Sequence, residues 1–308
     1  MARVVAVGSA VLDRVYALSN LPEPDGGAFV RSYAERAGGV AANVACALAA
    51  LDHDAAVVSR VGRDDAGDRV LASLDEWGVD ADGVRRGGDD TSYTLILRSP
   101  GGDRMIVAGG DSVPGLRLAD ADRDRLREAD CVFTSAYAPD PAVSELVALR
   151  ERGELAALAF DLAGPLSELD GRGATPATID AAAAAADLFV ANEVAARSHL
   201  DRGPAGAAER LREAGADRVA VTEGADGAHL ASAGTDGAER VPAERVDAVD
   251  TTGAGDAFTA ALIHAWVLGD ADAATAGRVA ARAAAQNCTS EGARGALPAL
   301  ADLPENED

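Results

Sequence analysis

From residue 250 to residue 258 the chain reads Asp-Thr-Thr-Gly-Ala-Gly-Asp-Ala-Phe, a loop of small residues that opens a long apolar helix running to about Leu268. Backbone N–H groups at a helix start have no partner within the helix, and small side chains let an anion approach them closely. The stretch therefore predicts a cradle for a phosphate or an oxyanion. Asp256 falls in the first turn, where its carboxylate can accept a proton from a bound hydroxyl. The alternative is that Asp250 or Asp256 bonds only helix N–H groups and that the glycines make a tight turn.

The segments around this stretch alternate between strands and helices. Apolar runs that predict strands occur at Val4–Val7, Ala55–Ser59, Cys131–Thr134, Ala156–Asp161, Leu188–Ala191 and Arg218–Thr222. Helical patterns, such as Asp64–Trp77, lie between them. Strands separated by helices are joined by right-handed crossovers into a parallel sheet. We therefore expect an α/β fold with a doubly wound, mostly parallel sheet and helices on both faces, whose ligands bind beyond the carboxyl ends of the strands.

Two segments do not fit this alternation. Residues 11–36 contain a cluster of proline and glycine and read as irregular strands, and Ser99-Pro100-Gly101-Gly102-Asp103 separates two β-like runs as a hairpin signature. We expect these regions to form a small β sheet outside the main core. The expected division is a small β unit of residues 11–36 and 89–112, a large α/β domain of residues 1–10, 37–88 and 113–304, and a loose acidic tail of residues 305–308.

A second small-residue turn, Ala37-Gly38-Gly39-Val40-Ala41-Ala42-Asn43, leads into a predicted helix. Its glycines permit close approach of a substrate to the backbone, and Asn43 offers both a donor and an acceptor to hydroxyl groups. Asp13 follows the first strand. An aspartate there is more often a turn former than a ligand, so its assignment depends on the three features occurring together.

These stretches resemble the two signatures of the PfkB, or ribokinase-like, carbohydrate kinases, and the similarity extends from about Val4 to Leu303. The resemblance implies a ribokinase-like fold, in which the large domain binds the nucleotide and the small β unit is a lid that closes over the substrate. It implies a Mg²⁺-dependent transfer of the γ-phosphate of ATP to a hydroxyl of a small sugar-like substrate. It implies that Asp256 is the catalytic base. It further implies an anion hole from the amides of Gly253, Ala254, Gly255 and Asp256, and an acceptor site made by Asp13, Gly38, Gly39 and Asn43.

The resemblance also implies a nucleotide site. Residues 222–227, Thr-Glu-Gly-Ala-Asp-Gly, resemble the T-x-G-x-x-G loop of the family, in which Thr222, Gly224 and Gly227 would bind the nucleotide. Without the family, this segment reads as an ordinary turn between two strands. Residues 289–293 resemble the segment that in relatives contributes to the adenine side and in some cases to a monovalent-cation site, so K⁺ is a candidate cofactor beside Mg²⁺.

One departure from the family pattern concerns the metal. Relatives carry N-x-x-E after a strand, with the glutamate organising Mg²⁺, whereas Asn192-Glu193-Val194-Ala195 places alanine at that position. We assign Asn192 to the nucleotide site and Glu193 as the replacement metal ligand, with water as the alternative.

A second departure concerns the acceptor. Relatives that take sugars or sugar acids often carry D-x-N-x-R, whereas residues 161–165 read Asp-Leu-Ala-Gly-Pro. A free pentose or hexose is the first candidate acceptor, a nucleoside the second and a sugar phosphate the third, because arginines in the lid such as Arg31, Arg98 and Arg104 would pair a phosphate. The alternative for each of these arginines is that it lies on the surface in contact with solvent and binds no phosphate.

The charge of the chain restricts its partners. Its 51 acidic and 28 basic residues give a net charge of −23, and it contains no lysine. This charge disfavours binding to nucleic acid and to anionic membranes. High salt would screen the self-repulsion, so we expect a salt-rich cytoplasm, with an acidic proteome in an ordinary bacterium as the alternative. Three separated cysteines in apolar surroundings and the lack of a signal-like start or an 18-residue apolar span indicate a reducing, cytoplasmic location.

Other function classes have little support. A P-loop kinase needs a lysine, and a dinucleotide-dependent dehydrogenase needs a G-x-G-x-x-G motif that Gly8-Ser9-Ala10-Val11 does not supply. The four histidines are isolated in the sequence, which disfavours a zinc site. A non-catalytic nucleotide- or sugar-binding sensor stays open. Because relatives often pair through the lid, the resemblance implies a homodimer.

Overall fold

The structure, a computed structural model, describes residues 1–233 and 237–304. Its strands are β1 Arg3–Val7, β2 Val11–Leu18, β3 Val30–Gly38, β4 Asp54–Val61, β5 Asp80–Arg86, β6 Tyr93–Arg98, β7 Arg104–Gly109, β8 Cys131–Ser135, β9 Leu158–Asp161, β10 Leu188–Asn192, β11 Arg218–Thr222, β12 Ala228–Ser232 and β13 Glu239–Val241. Its helices are α1 Val40–Ala50, α2 Asp65–Glu76, α3 Asp120–Arg127, α4 Asp140–Glu151, α5 Leu166–Leu169, α6 Pro176–Ala185, α7 Glu193–Leu200, α8 Pro204–Ala214, α9 Ala254–Leu262 and α10 Ala273–Asn287. A π-helical turn, Ile263–Val267, continues α9. The predicted acidic tail lies outside the described residues.

Within the described residues the larger sheet has nine strands in the order β13-β12-β11-β10-β9-β8-β1-β4-β5. Every neighbouring pair from β11 to β5 is parallel, whereas β12 and β13 are antiparallel additions at one edge. The predicted doubly wound, mostly parallel sheet is therefore confirmed. Strands β4 and β5 extend the sheet on one side of β1, and β8 and the later strands extend it on the other. The loops after β1 and β8 therefore flank the crevice in which such sheets bind ligands.

Apolar side chains cover both faces of this sheet. One buried cluster packs α1, α9 and α10 against alternate strand residues, and the other packs the helices of the opposite face. Burial on both faces explains why the first strand reads as a continuous apolar run rather than an alternating one. Alanine dominates α1 and α10, so these helices lie close to their neighbours. The N-terminal turns of α1 and α9 meet at the ligand edge, where Asn43 contacts Asp256. Helix α10 reaches the same edge with its C-terminal end, where Nδ2 of Asn287 donates to the carbonyl of Thr252 at 3.3 Å. The cysteines Cys46, Cys131 and Cys288 are buried and unpaired in a disulfide.

A separate four-stranded sheet, hereafter the small sheet, has the order β3-β2-β6-β7. Its β6–β7 hairpin turns at the predicted residues, where the N–H of Ser99 donates to the carbonyl of Asp103 at 2.9 Å. Cross-strand pairing places Asp13, Arg36 and Thr94 on one face, which we call the inner face. Along the described chain no helix is long and apolar enough to cross a bilayer.

Two strands of the large sheet, β5 and β13, were not predicted, and β12 was expected only as a strand of unstated length after the turn at residues 222–227. β5 has the polar sequence Asp-Ala-Asp-Gly-Val-Arg-Arg and occupies the edge next to β4. An edge strand needs no continuous apolar run, because one side of its ladder faces away from the sheet. Hydrophobic periodicity therefore had no signal to detect there.

Candidate active site

The loop before α9 makes a tight turn that requires glycine at one position. Gly253 has a φ of +77°, and a Cβ on it would lie 2.2 Å from the carbonyl oxygen of Ala293. The N–H of Ala254 donates to the carbonyl of Thr251 at 3.3 Å. A Cβ on Gly255 would meet nothing within 4 Å. The first turn of α9 thus begins beside open space, where the N–H groups that follow Ala254 can meet an anion, whereas the N–H of Ala254 itself is engaged with Thr251.

Predicted residues from three distant segments meet at this helix start. The Nδ2 of Asn43, on α1, donates to Oδ2 of Asp256 at 2.7 Å. Asp13, on β2, is buried and accepts a hydrogen bond from Oγ1 of Thr94 at 2.5 Å. Its carboxyl lies close enough to Asp256 for its charge to raise the pKa of that residue. The structure therefore brings Asp13, Asn43 and Asp256 together.

The Asp256 carboxyl is partly buried and has a raised pKa of about 7. Burial is the main cause, and the charge of Asp13 adds to it. The hydrogen bond from Asn43 and the positive charge of Arg294 act in the opposite direction and lower the pKa. A carboxyl group that titrates near neutral pH is suited to accept a proton and to release it again.

A further carboxyl group, Asp161, reaches the same site from the end of β9. It is 7% exposed, and its Oδ1 accepts the N–H of Ala163 at 2.8 Å. Burial, followed by the charge of Asp256, raises the pKa of Asp161 to about 7. Sequence reasoning treated this residue only as a departure from a family motif. Its position at the carboxyl end of a parallel strand was the signal that could have identified it.

The glycines at residues 38 and 39 leave room for other residues of the protein, namely Asp13 and Ser9. A Cβ on Gly38 would lie 2.1 Å from Oδ2 of Asp13. Gly39 has a φ of +96°, and a Cβ there would lie 2.5 Å from the carbonyl oxygen of Ser9. We expected glycine at these positions so that a substrate could approach the backbone, but the contacts that require glycine here are made by the protein. The two glycines let the Asp13 carboxyl and the loop after β1 pack against the start of α1.

Sequence reasoning missed Arg294, which follows α10 in the loop after Ala293. Its Nε donates to Oδ1 of Asn43 at 2.8 Å, and its Nη1 donates to Oγ of Ser73 at 3.1 Å. Its charge lowers the pKa of both Asp13 and Asp256. No motif or spacing distinguishes this arginine from the others of the chain, so only the fold could reveal it.

Arginines of the small sheet also reach the loop before α9. Nη2 of Arg98 donates to Oδ2 of Asp250 at 2.7 Å and to Oγ1 of Thr252 at 3.1 Å, and Nη1 of Arg104 donates to the same hydroxyl at 3.4 Å. Burial raises the pKa of Asp250, but the Arg98 guanidinium and two backbone N–H groups outweigh it and hold that pKa well below its usual range. Arg31 is exposed on β3. Two of the three arginines expected in the lid therefore contact the cradle loop.

The predicted nucleotide loop joins β11 to the antiparallel β12. Thr222 ends β11, and Gly224 has a φ of +59° with nothing within 4 Å of a Cβ. Gly227 has a φ of +103°, and a Cβ there would lie 2.1 Å from the carbonyl oxygen of Val241. The N–H of Glu223 donates to the carbonyl of Gly227 at 2.7 Å. This geometry is a tight turn with open space at Gly224, and nucleotide binding there stays a prediction.

The residues proposed for the nucleotide and the metal beyond β10 are engaged with the protein. Asn192 caps α7 by accepting the N–H of Ala195 at 2.8 Å and donates to the carbonyl of Ala163 at 2.6 Å. The Glu193 carboxylate accepts from Nη2 of Arg197 at 2.6 Å. Among residues 1–233 and 237–304, no three or more His, Cys, Asp or Glu side chains group as a metal site. Mg²⁺ bound to nucleotide phosphates keeps several waters and needs one or two carboxylates. Glu193 fits this role, because Arg197 bonds its Oε1 and a carboxylate has a second oxygen to offer.

Comparisons with known proteins agree with this geometry. The family model described as pfkB family carbohydrate kinase matches residues 1–300. The chain is 35% identical to an ATP-dependent ribose-1-phosphate kinase of Halopiger xanaduensis over 96% of this chain and 95% of that protein. It is 28% identical to a ribokinase of Mus musculus over 85% of this chain and 80% of that protein. The structure of Arabidopsis thaliana ribokinase complexed with ribose and ATP covers 98% of this chain and 96% of its own, with a TM-score of 0.79 and 24% identity, and shows the same fold.

Proposed function

The chain belongs to the pfkB family of carbohydrate kinases, and from this premise we propose that it transfers the γ-phosphoryl group of ATP to a hydroxyl group of a ribose-like sugar. Membership of the family makes it a small-molecule kinase. The relatives at 35% and 28% identity are named as an ATP-dependent ribose-1-phosphate kinase and a ribokinase. ATP as the donor is supported by the first of these names.

One observation carries the proposal: the Asp256 carboxyl lies at the start of α9, beside the open space at Gly255, held by Asn43 at 2.7 Å and with a pKa of about 7. In the proposed reaction this carboxylate accepts the proton of the acceptor hydroxyl. The hydroxyl oxygen forms a bond to the γ-phosphorus as the bond to ADP breaks. The N–H groups of the first turn of α9 stabilise the negative charge of the transferring group.

Magnesium would accompany the ATP phosphates and neutralise part of their charge. Glu193 is the residue we propose for contact with its water shell, through the carboxylate oxygen that Arg197 does not bond. The nucleotide would lie along the ends of β10 and β11, where Asn192, Thr222 and Gly224 stand.

For the acceptor we propose a pentose, with its 1-phosphate ahead of the free sugar. The higher identity to a ribose-1-phosphate kinase supports this order. The inner face of the small sheet also supports this order. There Arg36 lies opposite Asp13 on the neighbouring strand, and Arg104 lies opposite Arg98. In a chain of net charge −23, these arginines near the acceptor residues favour an anionic group on the substrate.

We propose that the small sheet acts as a lid and that its outer face joins two copies of the chain. The lid role is supported by the contacts of Arg98 and Arg104 with the cradle loop. The outer face exposes the large apolar side chains of Tyr33, Met105 and Val107. Val107→Glu would then turn a dimer into a monomer in sedimentation experiments, whereas a monomeric unmodified protein would exclude this interface.

The net charge of −23 supports a further proposal, that the protein works in a salt-rich cytoplasm. At about 1 M salt the Debye length is only about 3 Å, so repulsion between surface carboxylates is largely screened. Activity assays therefore include molar KCl, which also supplies the candidate monovalent cation.

The deciding experiment measures ADP release in low and molar KCl against ribose, ribose 1-phosphate, a hexose and nucleosides. We expect turnover with a pentose acceptor and a ratio of kcat/KM that favours the 1-phosphate. The exposed-residue variant Asp75→Asn serves as a control that retains full activity. An absence of turnover with every acceptor at both salt concentrations would exclude the kinase and favour a nucleotide- or sugar-binding sensor.

A further inference from the structure

A continuous chain of hydrogen bonds leads from the loop after α10 to the proposed base. Nε of Arg294 donates to Oδ1 of Asn43 at 2.8 Å. Nδ2 of Asn43 donates to Oδ2 of Asp256 at 2.7 Å. Nη1 of Arg294 donates to Oγ of Ser73 on α2 at 3.1 Å, which fixes the guanidinium from a second side.

We propose that Arg294 is a positioning residue, which holds the amide of Asn43 in the orientation that donates to Asp256 and so aims that carboxylate at the acceptor hydroxyl. The inference rests on the proposed function, because it concerns the same reaction. Arg294 acts through Asn43, and Asn43 is the residue that contacts the base.

The orientation of the Asn43 amide follows from its two neighbours. An arginine offers only donors, and an ionised carboxylate offers only acceptors. The oxygen of the amide must therefore face Arg294 and its NH₂ group must face Asp256. A rotated amide would place two donors against each other at Arg294 and two acceptors against each other at Asp256. While Arg294 is present, one N–H of Asn43 bonds the base and the other is available for an acceptor hydroxyl.

One nitrogen of the partly exposed Arg294 side chain is buried, which indicates that the guanidinium has an internal role. Within the described residues, Nη2 of Arg294 is closed off from solvent and has no hydrogen-bond partner. A guanidinium stays charged at all relevant pH values, so an enclosed one needs negative charge nearby. Asp13 and Asp256 supply it, since the charge of Arg294 lowers the pKa of both.

Loss of this cation would change the pH dependence of the reaction. The titratable or charged side chains that interact with Asp256 are Arg294, Asp13, Asp161 and Tyr137. Arg294 favours the ionised form of Asp256, whereas the charge of Asp13 disfavours it. Without the guanidinium, ionisation of Asp256 requires a higher pH. The acidic limb of the kcat/KM profile would then move upward by about one pH unit or more.

Two substitutions separate orientation from charge. In Arg294→Gln, the side-chain nitrogen stands as many bonds from the backbone as Nε of arginine, so the donor to Asn43 is retained and the charge is lost. Arg294→Met removes both. Arg150→Met is the matched control, because Arg150 is also partly buried and makes two 2.7 Å hydrogen bonds to Asp187, far from α9 in the sequence and on another helix.

We expect Arg294→Gln to move the acidic limb upward by about one pH unit and to regain most of the wild-type kcat at high pH. Arg294→Met should show the same shift and lose roughly 10-fold to 100-fold in kcat at every pH, because the Asn43 amide is free to rotate. KM for ATP should stay unchanged in both. Arg150→Met should lower the unfolding midpoint and leave the pH profile of kcat/KM in place.

The proposal is overturned if Arg294→Met, folded by circular dichroism, keeps the wild-type pH profile and kcat, or if the Gln and Met variants behave alike at high pH. Should the Met variant not fold, the Gln variant alone decides through its pH limb. Failure of the proposed function is distinguishable, because it would appear as an absence of turnover with every acceptor or as near-normal turnover of Asp256→Asn. Failure of the present inference would leave the wild-type turnover and the loss of about 10²-fold or more in Asp256→Asn unchanged.

Discussion

Replacing Asp256 with asparagine tests the proposed base in two ways, because we expect kcat to fall and the free energy of unfolding to rise. Asparagine has nearly the same shape, and its oxygen can still accept the hydrogen bond from Asn43, but it cannot take up the proton of the acceptor. General-base catalysis contributes roughly 10²-fold to 10⁴-fold to a rate. We therefore expect kcat to fall by about 10²-fold or more, with little change in KM for ATP.

The same substitution should stabilise the fold. The pKa of Asp256 is raised from 3.8 to about 7 in the folded protein, so the folded state binds the proton more tightly than the unfolded state. The resulting stability is fully present below pH 3.8 and is lost as the pH rises through about 7. A difference of about three pKa units corresponds to about 4 kcal/mol. This is an upper limit because the side chain is only partly buried, and we expect a gain of about 1–2 kcal/mol at about pH 8.

The assays are ADP release for kcat and denaturant unfolding of both proteins at about pH 5 and about pH 8. The gain in unfolding free energy of the asparagine variant over the wild type should be smaller at the lower pH, because much of the wild-type carboxyl is already protonated there in the folded state. Near-normal turnover would refute the role of Asp256 as base. A variant less stable than the wild type at the higher pH would refute the reasoning that burial opposes its charge.

Four further outcomes are expected. Gly253→Ala should cost about 2 kcal/mol or more and most of the activity, because its φ of +77° and the Ala293 carbonyl leave no room for a methyl group; a stable, active variant would contradict this. Arg98→Met should destabilise the protein by about 1–3 kcal/mol in unfolding experiments, since it removes a hydrogen-bonding cation from the buried Asp250 carboxylate; an unchanged stability would show that the pair contributes nothing. Burial lowers the pKa of His53 to about 4, so wild-type stability should fall as the pH drops from about 6.5 to about 4 more steeply than that of His53→Asn; parallel pH curves would exclude this effect. The thermal midpoint should rise from low to molar KCl because salt screens the net charge of −23, and equal midpoints would remove the proposal of a salt-rich environment.

The parts of the fold that follow local rules were predictable from the sequence. The apolar run Val4–Val7 predicts a buried strand, and it became β1 in the interior of the sheet, between β8 and β4. Asp64 and the apolar spacing after it predict a helix, and Asp64 caps α2 by accepting the N–H of Gly67. The small residues before Ala254 predict a helix start. In each case the backbone conformation depends on neighbours in the sequence, which is what a pattern can report.

The contacts across the site were not predictable in the same way. The Arg98–Asp250 pair joins residues 152 positions apart, and Arg294 lies 251 positions from Asn43. Sequence reasoning identified Asp13 and Asn43 only through a family resemblance, and it did not expect that Asp13 would fill the space left by Gly38. Such pairs form because distant strand ends converge at one edge of the sheet, and a single sequence contains no record of that convergence.

The close approach of Asp13 and Gly38 makes these two positions interdependent in any future variation of this chain. An alanine at position 38 would displace the carboxyl group, because its methyl carbon would stand 2.1 Å from Oδ2. A chain in which position 13 carries a small side chain has that volume free and can accept alanine at position 38. Engineering of a new preference at the proposed acceptor site must therefore change both residues in the same step.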